Sequence, residues 1–155
     1  MYTDLRLVLE ALGGRQREFH WLITDLEWIL LGPSHDGDGL PTYEGPLWIS
    51  GEDLTDLVSR FDIQWIWAVL SGFRRASGAD IGVDMEVEPL ADGNDRLWTS
   101  GPSIQHPGAD VEIVCWDSSS VLFLSRDHDL TKRFRTFFPE AVDLEGFNRA
   151  TGTRR

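Results

Sequence analysis

Between Gln64 and Phe73 the chain reads QWIWAVLSGF, a run of β-branched and aromatic residues whose apolar side chains fall on both faces of an extended segment. Such a run predicts a central strand, because an edge strand or a half-solvated one alternates with polar residues. The stretch just before it is equally explicit. Leu54, Leu57, Val58 and Phe61 recur at the spacing of one helix face. Ser50-Gly51-Glu52-Asp53 precedes them as a capping box, in which Ser50 accepts from the Asp53 amide and Asp53 reaches back. Helix and central strand thus follow one another directly.

The remaining elements can be read around this pair. Leu5, Val8, Leu9 and Leu12 form one apolar helix stripe, with Thr3 placed to cap it and Gly13-Gly14 to stop it. Phe19 to Trp28 reads as an inner strand, with Phe19, Trp21 and Ile23 on one face and Leu22 and Leu26 on the other. Residues 32–46 are dense in Gly, Pro and Asp and predict a long loop, and Leu47-Trp48-Ile49 a short strand. Ile81, Val83, Met85 and Val87 alternate with Gly82, Asp84, Glu86 and Glu88, the pattern of a half-exposed strand with an acidic outer face. Residues 89–110 read as loop, with a short strand at Leu97-Trp98. Val111 to Trp116 and Val121 to Leu124 predict a hairpin joined through Asp117-Ser118-Ser119-Ser120. Asp127 caps a last helix that buries Leu130, Phe134, Phe137 and Phe138 and stops at Pro139. The expected fold class is α+β: an antiparallel or mixed sheet of about five to six strands, with about three helices in a single layer on one face. Residues 1–148 would form one domain, and the polar residues 149–155 a flexible tail.

With 155 residues, 41% of them hydrophobic and 26% charged, the chain has the balance of one globular domain. Its longest apolar run, Trp65 to Leu70, is far shorter than the roughly 20 residues a bilayer span needs. Met1 to Leu5 carries an early acid and no basic region before an apolar stretch, so no signal peptide is read. Cys115 is the single cysteine, which excludes an internal disulfide and favours a cytoplasmic home. The net charge is −12, and it is uneven: residues 1–125 hold 7 basic and 21 acidic side chains, residues 126–155 hold 7 and 5. A body this negative repels nucleic acid and anionic membrane and draws in a basic protein partner, although solubility alone is a common reason for negative charge.

No motif for chemistry is complete. Ser34-His35-Asp36-Gly37-Asp38-Gly39 lacks the ligand spacing of a calcium loop and reads as a solvated turn, as does Asp92-Gly93-Asn94-Asp95. One Cys and four scattered His give no zinc set, and neither a Walker loop nor G-x-G-x-x-G is present, so no metal and no cofactor are expected. Cys115 lies in an apolar strand as a small core residue. His128, between Asp127 and Asp129, suits a helix N-terminus as well as it suits a base. His20 reads as a core or edge residue of its strand, and His35 and His106 lie in loops. Asp25 and Glu27 would share a strand face. Asp84, Glu86 and Glu88 would form a ladder of carboxylates at roughly 6.7 Å intervals, matched to Arg and Lys on a partner or simply to water. Among the aromatics, Trp65 and Trp67 would share a face near Trp21, while Trp48 and Trp98 border loops.

Three stretches carry a resemblance: HWLITDLEW (20–28), WISGEDLTDLVSRFDIQWIWAVLSGF (48–73) and SSVLFLSRDHDLTKRFRTFFPEAVDLEGF (119–147). About half the chain by pattern, they resemble small bacterial α+β domains of the polymorphic-toxin immunity type. That resemblance brings no catalytic residue. It implies a binding role, with a basic toxin domain as partner. The expected function is therefore an acidic immunity or inhibitor protein, not an enzyme, with Asp84, Glu86, Glu88, Asp25, Glu27, Asp36 and Asp38 as partner-binding candidates. Two alternatives stay open: a small enzyme built from loops 32–46 and 89–110 with Asp25, Glu27 or His128, and a stand-alone regulatory interaction domain.

Overall fold

The computed structural model describes residues 4–32, 44–75 and 86–152. Its centre is a five-stranded antiparallel sheet, and the fold is α+β. The strands are β1 (Phe19–Leu30), β2 (Leu47–Ser50), β3 (Ile63–Arg74), β4 (Val111–Trp116) and β5 (Ser120–Ser125), arranged in the order β2-β1-β3-β4-β5. The apolar run at 64–73 thus occupies the central position its composition requires.

Helices α1 (Leu5–Ala11), α2 (Gly51–Arg60) and α3 (His128–Phe137) cover one face. Leu5, Val8, Leu9, Leu12, Leu54, Leu57, Val58 and Leu130 pack there against Phe19, Trp21, Ile23, Trp65, Leu70, Ile113 and Cys115. In α2 the Ser50 hydroxyl accepts from the Asp53 amide at 3.0 Å and donates to Asp53 Oδ2 at 2.8 Å, so the box closes through the hydroxyl. Removing it by Ser50→Ala should lower stability by about 1 kcal/mol in urea unfolding. A loss as large as that of Leu57→Ala, roughly 2–5 kcal/mol, would mean that Ser50 does more than cap. Asp4 caps α1, its side chain accepting from the Arg6 amide; Thr3, the expected cap, lies outside the described residues. In α3, Phe134 stacks on Phe123 of β5 at 4.4 Å, but Phe137, expected inside, is exposed.

The opposite face is not left to solvent. The segment from Pro89 to Ala109, with a 3-10 turn at Asp95–Trp98, lies over it together with a fourth helix, α4 (Leu144–Gly152). Leu97-Trp98 is therefore a helical turn and not the short strand expected there. Helix α4 runs past the Asn148 boundary drawn from sequence. The Asn148 amide is buried, donating to the Leu97 carbonyl at 3.0 Å and the Thr99 carbonyl at 2.8 Å.

Two bulges alter the strand faces. Thr24 pairs with Val69 and Glu27 with Trp67, so Asp25 and Leu26 together stand opposite Ala68. Trp28 then pairs with Trp65, which leaves Ile66 as the extra residue of β3. Each insertion reverses the alternation beyond it. Leu26 consequently joins Phe19, Trp21 and Ile23 on the helix-covered face, and Trp65 and Trp67 separate to opposite faces.

Candidate functional site

The bulge in β3 delivers Trp67 to the second face, where it begins a row of aromatic rings. Trp67 meets Trp116 of β4 edge-on at 5.0 Å, Trp116 meets Trp98 at 5.2 Å, and Trp98 meets Phe147 of α4 at 6.1 Å. The three indoles are half-buried against Val69, Ala91, Leu97, Val114 and Leu122, and Phe147 is exposed. Exposed carboxylates neighbour the row in register or in sequence. Glu27 is the register partner of Trp67, Asp117 follows Trp116, Asp95 opens the turn that carries Trp98, and Asp92 lies beside Asp25. None of these four makes an ion pair among the described residues. Arg96, in the same turn as Asp95, is the cation of this neighbourhood.

The expected binding residues fare differently. Asp36, Asp38 and Asp84 lie outside the described residues. Glu86 sits in a turn and Glu88 in irregular chain, so the described end of the acidic segment is not a strand and the two do not form a ladder. Asp25 and Glu27 do not share a strand face either. Asp25 is the bulge residue, at φ 51°, and its Oδ2 accepts from the Ala91 and Asp92 amides at 2.8 and 2.7 Å. It ties the covering segment to β1, and Glu27 alone of that pair is left facing outward.

The other candidates for chemistry are committed to structure. Burial pushes the Cys115 thiol up to about 12, which leaves no thiolate at neutral pH. His20 lies edge-on to Trp48 at 5.4 Å, and His106 is buried, edge-on to Phe73 at 4.8 Å. His128 is the exposed first residue of α3, while Asp127 does the capping, accepting from the Asp129 and Leu130 amides.

Sequence reading passed over Glu112, which is fully buried. It lies on the second face of β4, opposite Ser71 and Leu124. Its Oε2 accepts from the Gln105 amide at 2.8 Å, its Oε1 from Gln105 Nε2 at 3.2 Å, and the His106 amide also donates to it. Burial raises its pKa above the ordinary glutamate range, and these donors oppose the rise without cancelling it. The available signal was one Glu among apolar neighbours in VEIVCW, a strand whose second face also carries Val114 and Trp116.

The cations gather elsewhere. At the α3 N-terminus Arg15 bonds Asp127 at 2.8 Å, Glu18 at 2.9 Å and Asp129 at 2.9 Å, while Arg74 reaches Asp127 at 3.0 Å. The two guanidiniums, Arg15 foremost, hold the Asp127 carboxyl well below its usual range. Asp127→Asn keeps a cap acceptor and loses the charge, so it should cost about 1–2 kcal/mol at neutral pH, between an exposed and a buried pair. Because the folded pKa is depressed, this contribution is complete above the ordinary aspartate value, about 3.9, and vanishes as pH falls through the folded one. Urea midpoints of wild type and variant should converge in acid; a gap that persists there would assign the loss to something other than charge.

Among the described residues no group of three or more His, Cys, Asp or Glu side chains could hold a metal ion, and no helix is long and apolar enough to cross a membrane. No protein-family model, curated protein or solved structure matches the chain.

Proposed function

We propose that this chain is an acidic binding protein that works in the cytoplasm and neutralises a basic protein partner, such as a toxin domain, by covering its surface. The observation that carries the reading is the Trp67–Trp116–Trp98 row, with the exposed carboxylates Glu27, Asp95 and Asp117 beside it in register or sequence and Asp92 on the same covering segment. Tryptophans that are half-buried and packed edge-on against one another are already ordered, so a partner gains contact area against them at small entropic cost. Carboxylates that make no ion pair among the described residues are available to arginine or lysine, which can also lie over the indoles. Eight basic residues, Arg6, Arg15, Arg60, Arg74, Arg75, Arg133, Arg135 and Arg149, are engaged in ion pairs instead, so the excess of a −12 chain is left on surfaces such as this one.

The test is kinetic. A partner captured from the source cells at low salt is purified, and its association with this protein is followed at two ionic strengths. The association rate should fall as salt rises, and about tenfold at low salt when Glu27, Asp92 and Asp117 become Gln, Asn and Asn together. Glu86→Gln with Glu88→Gln is the comparison variant for the acidic segment proposed from sequence. A folded triple variant with wild-type kinetics would remove the tryptophan face from the interface, and a rate indifferent to salt would remove the basic partner.

A further inference from the structure

The segment that covers the second face folds around a hollow of its own. Between Val87 and Gln105 it encloses a cleft of about 650 Å³, the size of a small-molecule site, and every residue that lines it comes from this one stretch. The walls are tied in place by side chains. Gln105 joins the two limbs, its Oε1 accepting from the Leu90 amide at 2.8 Å and its Nε2 donating to the Leu90 carbonyl at 3.0 Å. Asn94 donates to the same carbonyl at 2.9 Å and accepts from the Arg96 amide at 3.3 Å, which fixes the turn that carries Arg96. The other rim is bound to α4: Glu145 accepts from the Ser100 hydroxyl and the Gly101 amide, and Asn148 donates to the Leu97 and Thr99 carbonyls. The cleft is thus formed before a ligand arrives, and binding spends little on ordering it.

Its lining is mixed. Val87, Leu90 and Ile104 supply apolar wall, and Leu90 is a large apolar side chain left exposed there. Among the described residues that line the cleft, Arg96 is the one cation and Glu88 the one anion. They pair neither with each other nor with any other described residue. This combination selects among ligands. A polyanion would gain one guanidinium and meet both Glu88 and a chain of net charge −12. A wholly apolar molecule would strip water from two charges and give them nothing in return. A molecule with one carboxylate, one ammonium and an apolar side chain satisfies all three kinds of wall, and it carries no net charge for the protein to repel.

We propose that this cleft binds a small zwitterion with an apolar side chain, an amino acid or a short peptide with both ends free. The Arg96 guanidinium takes the carboxylate, Glu88 takes the ammonium, and Val87, Leu90 and Ile104 take the side chain. The site goes beyond the protein-binding reading and does not depend on it, because Trp67, Trp98 and Trp116 line no part of the cleft.

The experiment uses the free, full chain. Its backbone amides and the Arg96 side-chain N–H are followed by NMR while leucine, and separately leucyl-leucine, is added up to about 10 mM, a decade beyond millimolar affinity. The expected result is a saturable set of shifts centred on residues 87–105, and the tighter of the two ligands tells whether the site takes the amino acid or the peptide. N-acetyl-leucinamide has the same side chain and neither charge, and should bind at least about tenfold more weakly. Arg96→Gln and Glu88→Gln should each weaken the better ligand by a similar factor, about tenfold, and Arg96→Lys should restore part of the loss. Both side chains are exposed, so these variants should melt with the wild type. Absence of a saturable shift with either ligand overturns the proposal on wild-type protein alone. Equal binding of the blocked analogue, or undiminished binding to Arg96→Gln, overturns it as well, since the charges would then recognise nothing. No protein partner enters the measurement, so its failure leaves the binding reading standing, and failed steering kinetics leave the cleft standing.

Discussion

Replacing Gly51 with alanine should destabilise the protein by about 3 kcal/mol or more, at the upper end of what overpacking costs. Gly51 is the first residue of α2 and is buried where the β2–α2 junction meets the 3-10 turn Arg15–Glu18. A Cβ at this position would strike the Gln16 carbonyl oxygen and come within 2.6 Å of Arg17 Cα and 2.8 Å of the Gln16 carbonyl carbon. These are backbone atoms, so no side-chain rotation relieves the clash. The Gln16 carbonyl cannot move aside either, since it accepts from the Phe19 amide and from the Trp21 indole. Gly152 in α4 is the control, because a Cβ there meets nothing within 4 Å. Gly152→Ala should be neutral or stabilising by less than about 1 kcal/mol. Urea unfolding of both variants decides the matter: a Gly51→Ala midpoint equal to wild type would show that the junction yields.

Much of the architecture was legible because local signals agreed with one another. The box at Ser50 and Asp53, the Leu54-Leu57-Val58 stripe and the apolar run at 64–73 each specify one element, and the structure has all three. The hairpin expected through 117–120 was also readable, with β5 starting one residue earlier, at Ser120, and Asp117 and Ser118 take the positive φ values, 46° and 58°, that a tight hairpin turn demands. Bulges were not legible, because one inserted residue leaves no trace in the composition of a strand. Asp25 resembles any polar strand residue until the Ala91 and Asp92 amides are seen bonded to it. Helix α4 escaped for another reason. Gly146, Asn148, Thr151 and Gly152 are weak helix formers, and the helix rests on tertiary contacts, among them Asn148 bound to the 97–99 backbone.

The candidate site divides along the same line. Single residues such as Glu27 could be chosen from sequence, but the tryptophan row could not. Its rings come from β3, β4, the covering segment and α4, and Trp67 reaches it only because Ile66 is an extra residue. The alternation rule also sends Glu112 to solvent, since it assumes that one face of a sheet is wet. Here both faces are covered, and the lone acid of VEIVCW becomes a buried anchor.

Trp21→Ala should cost roughly 3–5 kcal/mol, the range for emptying a buried aromatic site. Trp21 is fully buried near the start of β1, with Phe19 at 5.7 Å. Its register partner is Gly72, where a Cβ would meet the indole ring at 3.0 Å, so β3 is shaped around this side chain. Trp21→Phe separates the packing from the polar contribution. It retains a ring but removes the indole N–H that donates to the Gln16 carbonyl at 3.0 Å, a loss of about 1–2 kcal/mol. The same carbonyl faces Gly51, so the two sites share a partner and their effects should not add. Once the Trp21 bond is gone, the Arg15–Glu18 turn is freer to retreat from a methyl group at position 51. Gly51→Ala with Trp21→Phe should therefore destabilise by less than the sum of the single changes, by at least about 0.5 kcal/mol. Strict additivity in a double-mutant cycle would show that the indole does not hold the turn in place, and the rigidity assigned to Gly51's surroundings would need another source.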